Sequence, residues 1–216
     1  MNLFEIEDKV KPIRWDEHIL SLSFVEQEII RGIMLLHNNG NPFDVDPTYS
    51  TGRFWDGIPG PKYRFDINPQ IEGVAKADAR LLPLENESIM SIMFDPPFIV
   101  AQPSGFGKKG IIRERFGFYE TIPKLWKFYK ESMFEFHRIL KPKGILCFKC
   151  QDCIDSGKQK MSHFEIMKYA EELGFYCKDF FVLARQNVVF SPNMVNQQHA
   201  RKNHCYFIVF SKLSNT

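Results

Sequence analysis

Apolar and polar residues alternate with two different periods along this chain, and the switches between periods mark out its elements. Ile19, Leu20, Phe24, Ile29, Ile30, Ile33 and Met34 fall near helical spacing, which predicts a helix from Glu17 to His37. Asn38-Asn-Gly-Asn-Pro42 carries strong turn chemistry and ends it. Short strands are expected at Phe43 to Asp46, at Tyr63 to Ile67 and around Gly73 to Ala77. The unbroken apolar run Ile89 to Phe94 reads as a buried strand. Trp126 to Leu140 is amphipathic and helical, and Lys141-Pro-Lys-Gly144 turns it into a strand ending at Cys150. A further helix is expected from His163 to Gly174, then strands at Cys177 to Leu183 and Tyr206 to Phe210. Strands alternating with helices imply an α/β chain with a mainly parallel sheet and right-handed crossovers. With no repeat, low-complexity stretch or linker, residues 1–216 read as one domain with an N-terminal helical segment at 1–40.

Candidate chemistry concentrates where the run Ile89 to Phe94 meets Asp95-Pro96-Pro97-Phe98. In a parallel sheet this turn falls at the carboxyl edge, where open α/β sheets place their ligand crevices. The Asp95 carboxylate and the Pro96 carbonyl are both acceptors and can hold the two N–H bonds of an exocyclic amine. Fixed φ at Pro96 and Pro97 stiffens the turn, and Phe98 offers a face for a planar ring. Acids stand at successive strand ends: Asp44 or Asp46, then Asp66, then Asp78. A carboxylate at the second such position suits ribose hydroxyls, and one after the third suits an adenine amino group. Gly52 allows close backbone approach. No Gly-x-x-x-x-Gly-Lys-Ser/Thr loop is present to cradle phosphates, so the ligand implied is a nucleoside with a cationic or neutral tail.

Composition narrows this only slightly. The balance of 28 basic against 26 acidic residues gives +2, so global charge does not argue for nucleic acid. No apolar stretch approaches the ~20 residues of a membrane span, and the acidic N-terminus lacks signal-peptide character, so a cytoplasmic location is expected. Cys147 and Cys150 are three apart on an expected strand and should point to opposite faces, so buried reduced thiols are expected and no metal site.

The chain resembles the class I S-adenosylmethionine-dependent methyltransferases over about residues 41–212, and within them the nucleic-acid amino-methyltransferases with an Asp-Pro-Pro-aromatic motif. Asp95, Pro96, Pro97 and Phe98 match the catalytic motif at the fourth strand. The segment Asp46-Pro47-Thr-Tyr49-Ser-Thr-Gly52 resembles the cofactor turn, and Asp66, followed by Ile67, matches the ribose-binding acid. Asp78, Ala79 and Arg80 resemble the adenine-contacting segment, with Asp44 a further cofactor candidate. The resemblance implies a Rossmann-like, mainly parallel seven-stranded sheet with an antiparallel last strand. It also implies S-adenosyl-L-methionine as cofactor and an adenine N6 in DNA as target. A flipped base would reach Asp95. RNA amino-methylation and a catalytically silent nucleic-acid-binding subunit are the alternatives. A cytosine C5 enzyme is disfavoured because none of the five cysteines follows a proline.

Two features depart from the pattern. Ser50 stands where the family has the first glycine of Gly-x-Gly, and only Arg53 to Pro61 precede the second strand, so the first crossover helix should be short or replaced by a loop. From the length of 216 residues, no separate recognition domain is expected. Recognition would fall to a substrate loop at 99–120, with Lys108, Lys109, Arg113 and Arg115, to Arg201 and Lys202 before the last strand, or to a partner subunit or homodimer.

Overall fold

The computed structural model describes residues 18–98, 119–185 and 197–214. The strands are numbered in chain order: β1 (Leu22–Ser23), β2 (Val45–Asp46), β3 (Tyr63–Asp66), β4 (Ala75–Lys76), β5 (Ile89–Phe94), β6 (Leu140–Cys150), β7 (Cys153–Asp155), β8 (Lys158–Lys160), β9 (Phe175–Ala184) and β10 (His204–Lys212). Among the described residues, all but β7 and β8 form one sheet, in the spatial order β1-β9-β10-β6-β5-β2-β3-β4. β10 runs antiparallel to both of its neighbours, and every other pairing in the sheet is parallel. Setting β1 aside, this is the Rossmann-like class I methyltransferase arrangement expected from the sequence. The crossover direction reverses between β2 and β5, the position at whose carboxyl edge open α/β sheets place their ligand crevices.

Among the described residues, three helices flank the sheet: α1 (Glu26–His37), α2 (Ile122–Ile139) and α3 (Ser162–Glu172). Leu125, Phe128, Tyr129, Met133, Phe136 and Ile139 give α2 a buried face against Phe94, Leu146, Phe148 and Cys150. The ring of Phe94 meets Phe136 and Phe148 edge-on at 4.8 and 4.9 Å, a preferred aromatic geometry. α1 and a 3-10 turn at Arg53–Trp55 cover the other face, packing on Met93, Cys147, Phe207 and Val209. Cys147 and Cys150 therefore lie on opposite faces, as the strand period requires.

Several expectations are corrected. The helix expected from Glu17 begins only at Glu26, because Leu22 and Ser23 are drawn into the sheet beside Val182 and Leu183. β1 is thus an eighth strand of that sheet. α2 starts a turn earlier than expected, where the Thr121 hydroxyl accepts from the Lys124 N–H and Pro123 sits in the first turn. The separate hairpin of β7 and β8 was not anticipated; Ser156 and Gly157 take positive φ at its tip. Cys177 is exposed, not buried, since β1 reaches only the far end of β9.

The turn expected at Lys141 to Gly144 interrupts β6. Ile89 pairs with Leu140 but Ser91 pairs with Ile145, so the intervening residues bulge out. A Cβ on Gly144 would stand 2.9 Å from the Lys141 carbonyl oxygen and 3.1 Å from that of Met90. Both obstacles are backbone, so Gly144→Ala should destabilise the protein by about 1–3 kcal/mol. A urea midpoint unchanged from wild type would contradict this.

Candidate active site

At the carboxyl edge Asp46, Asp66 and Asp95 are each hydrogen-bonded to the turn that follows β2. Asp46, at the end of β2, is 3% exposed and saturated with donors. Its Oδ1 accepts from the Thr48 N–H at 2.8 Å and the Thr48 hydroxyl at 3.2 Å; its Oδ2 accepts from Trp55 Nε1 at 2.8 Å. Trp55 comes from the 3-10 turn that stands where a crossover helix was expected to be short or missing, so this turn supplies a buried partner for Asp46. Burial pushes the Asp46 pKa up to about 7 against those hydrogen bonds, with the nearby Asp95 charge adding to the rise.

Thr48 links the two halves of the site. Besides donating to Asp46, its hydroxyl accepts the Asp95 backbone N–H at 3.1 Å. Asp66, at the end of β3, folds back on the same turn: its Oδ2 accepts from the Ser50 N–H at 2.8 Å and its Oδ1 from the Asn68 N–H at 2.7 Å. Burial raises the Asp66 pKa in spite of these bonds. Ser50 has φ 50°, in the left-handed region, so the conformation a glycine would take freely is kept by a serine. Gly52 has φ 76° and lies under the Tyr49 ring, which the Arg64 guanidinium covers at 5.3 Å.

Asp95 follows β5 and meets a residue that the sequence reading missed. Lys149, on the neighbouring β6, places Nζ 2.9 Å from Asp95 Oδ2 and 2.6 Å from Glu26 Oε1 of α1. The Lys149 side chain is 5% exposed and its ammonium lies 5.1 Å above the Phe54 ring and 5.6 Å above that of Phe207. Burial disfavours the Lys149 charge, but Asp95 and Glu26 outweigh it and hold the pKa above the ordinary lysine value. Lost hydration raises the Asp95 pKa, Lys149 pulls it down and Glu26 pushes it up. Asp95 Oδ1 is shut off from solvent and has no hydrogen-bond partner among the described residues. The Pro-Pro turn is anchored from the opposite face, where the buried Tyr129 hydroxyl donates to the Pro97 carbonyl at 2.9 Å. Pro96 is buried, and Phe98 is half-buried against the α1 side of the core.

The remaining candidates separate from this centre. Asp44 precedes β2, and its Oδ2 accepts from the N–H groups of Met90 and Ser91 at the start of β5. Asp44 thus ties the start of β2 to the start of β5, at the opposite end of these strands from Asp46 and Asp95. Asp78 does follow β4 but is paired with its own neighbour, Arg80, at 2.7 Å; that hydrogen bond lowers its pKa. Arg80 also reaches Glu131 of α2 at 3.2 Å. Ala79 is buried and Ile67 is exposed. Pro47 is buried in the turn after β2. Arg201 and Lys202 are half-buried ahead of β10, where the Lys202 carbonyl accepts from Gln151. Lys108, Lys109, Arg113 and Arg115 lie outside the described residues. No group of His, Cys, Asp and Glu among the described residues has the geometry of a metal site.

Neither known protein families nor curated proteins yield a match to the sequence. Among solved structures, one similar chain is a protein of Thermus thermophilus provisionally named a DNA modification methylase. It is 16% identical, with a TM-score of 0.46, over 71% of this chain and 56% of that one. The same protein complexed with S-adenosyl-L-methionine matches at 18% identity and a TM-score of 0.41, over 65% and 55%. The cytosine-N4-specific PvuII DNA methyltransferase matches at 19% and 0.44, over 63% and 47%. The chain spans little more than half the length of the Thermus protein. The fold assignment stands on the strand order and directions themselves.

Carboxyl carbon shifts followed through a pH titration should show Asp46 with a midpoint near 7. A midpoint below 5 would contradict the burial described. The sign follows from linkage. The folded pKa lies above the unfolded one, so this group's contribution is most favourable below about pH 4 and is lost as pH rises toward 7.

Proposed function

We propose that this protein transfers a methyl group from S-adenosyl-L-methionine to the exocyclic amine of a nucleic-acid base, with adenine N6 in DNA as the first assignment. The observation that carries the reading is the Asp95-Pro96-Pro97-Phe98 turn at the carboxyl edge of β5, beside the crossover point, with one carboxylate oxygen left without a donor. Asp95 Oδ1 and the Pro96 carbonyl would accept the two N–H bonds of the amine. That interaction draws the nitrogen lone pair out of ring conjugation. Phe98 would stack on the base, and Tyr129 holds the turn that aims these groups.

The chain's residues fit the cofactor. Each Asp66 oxygen accepts one backbone N–H and retains capacity for a ribose hydroxyl. Gly52 keeps the turn after β2 close to the strand ends, and the buried Asp46 carboxylate would favour a cationic neighbour. When bound, S-adenosylmethionine supplies an electrophilic methyl group on a sulfonium. The protein orients the amine toward it and excludes water. The amine would gain the methyl as the methyl's bond to sulfur breaks, leaving a neutral thioether. It would give up a proton for which Asp95 is the nearest carboxylate on the proposed amine site. Orientation of this kind accounts for a large share of catalysis in a transfer between two bound partners.

A silent nucleic-acid-binding subunit is the second reading, favoured by Ser50 in a glycine conformation and by the 3-10 turn in place of a helix. Labelled methyl transfer onto DNA and RNA, run side by side, separates the readings and selects the substrate. Asp95→Ala should lower turnover by ~10²-fold or more while leaving cofactor affinity within a few fold. Turnover above a tenth of wild type would remove Asp95 from the chemistry. Asp66→Ala should weaken S-adenosylmethionine binding by about 1.5–3 kcal/mol in isothermal titration, the scale of a hydrogen bond to a charged acceptor. Unchanged affinity would reduce Asp66 to a turn residue.

A further inference from the structure

Buried lysines are rare, and one placed against two carboxylates and two aromatic faces is held by more than packing. Lys149 lies on the sheet face that carries Cys147 and Phe207, an otherwise apolar surface. Its ammonium has Asp95 on one side, Glu26 on another and the Phe54 and Phe207 rings across it. Phe54 and Phe207 are themselves stacked, with centroids 6.3 Å apart and planes 26° apart. A cation enclosed in this way cannot swing to another partner. The Asp95 carboxylate it grips is therefore fixed in rotation, with Oδ2 used and Oδ1 unused.

We propose that Lys149, braced by Glu26, is a positioning residue that presents Asp95 Oδ1 as an acceptor-only group for the substrate's N–H. This deepens the function proposed above and rests on it. An ionised carboxylate accepts and cannot donate, whereas a protonated one carries an O–H. Lys149 thus also sets selectivity: a base bearing an amine at this position is held, and one bearing a carbonyl is repelled. Glu26 does two things at once. It fixes the ammonium, and its own negative charge works against ionisation of Asp95. Among the described residues, the charged and titratable groups around Asp95 are Lys149 from β6, Glu26 from α1 and Asp46 from β2. Arg185 after β9, Tyr129 from α2, Cys147 from β6 and Cys205 from β10 complete the set.

The two bracing residues therefore predict opposite effects. In Lys149→Met the acid limb of kcat/KM should move to higher pH by about one pH unit or more, with kcat falling and cofactor affinity within about twofold of wild type. In Glu26→Gln the limb should move to lower pH. Lys149→Arg, which keeps the charge, should return the limb toward its wild-type position. Carbon NMR of the Asp95 carboxyl, assigned with Asp95→Asn, gives the same titration without turnover. Shifts of opposite sign support the proposal. Limbs and carboxyl midpoints that coincide in all variants overturn it, as does a shift of one sign in both Lys149→Met and Glu26→Gln. If Lys149→Met does not fold, the Glu26→Gln shift decides. If wild type methylates no nucleic acid, the proposed function fails and the carboxyl titration still decides whether Lys149 controls Asp95.

Discussion

A carboxylate removed from water stays ionised only if a cation or several donors stand beside it, and the carboxyl edge of this sheet is organised by that constraint. The four acids there meet it in four ways. Asp46 is surrounded by neutral donors and drifts toward protonation near pH 7. Asp66 takes two backbone N–H groups. Asp78 stays at the surface with its own arginine. Asp95 alone is given a buried ammonium, and that ammonium needs Glu26 and two aromatic rings to be tolerable in the interior. Breaking such a pair by deleting one partner typically costs a few kcal/mol, because the other charge is left behind.

The turn after β2 is ordered from below. In place of a full crossover helix the chain makes one 3-10 turn, and Trp55 descends from it to Asp46 while Phe54 reaches Lys149. Two adjacent aromatic residues thus serve the two neighbouring acids. Thr48 joins the same acids through its hydroxyl, so the segment proposed to bind the cofactor and the segment proposed to bind the amine share one hydrogen-bond chain. The two acids also feel each other directly, since the Asp95 charge adds to the rise of the Asp46 pKa.

The sequence was most legible where a signal is local. The run Ile89 to Phe94 has the boundaries read from its apolar residues, and the turn that follows it is where its prolines put it. The opposed cysteines follow from the strand period, whereas the antiparallel last strand of the mainly parallel sheet and the short first crossover were read from the family resemblance. What was not legible depends on which strands become neighbours. Lys149 is separated from Asp95 by 54 positions and looks like a polar interruption of an apolar strand. Only the pairing of β5 with β6 brings the two side by side. Glu26, Trp55 and Tyr129 were missed for the same reason. The two-residue β1 reads as helix in the sequence because its apolar residues fit both periods and only β9 selects one. The Thr121 cap and Pro123 were readable signals of where α2 begins.

The Glu26–Lys149–Asp95 set joins the start of α1, the middle of the chain and the end of β6, so its members meet only through distant contacts. Such contacts carry the loop-closure entropy of the long segments between them. Local pairing of β2, β3 and β4 can form without them. A chain paused part-way through folding would hold its strand-end acids without the ammonium that fixes Asp95. The Glu26–Lys149–Asp95 set therefore exists only once these long-range closures are made, and the local pairing of β2, β3 and β4 does not by itself fix Asp95.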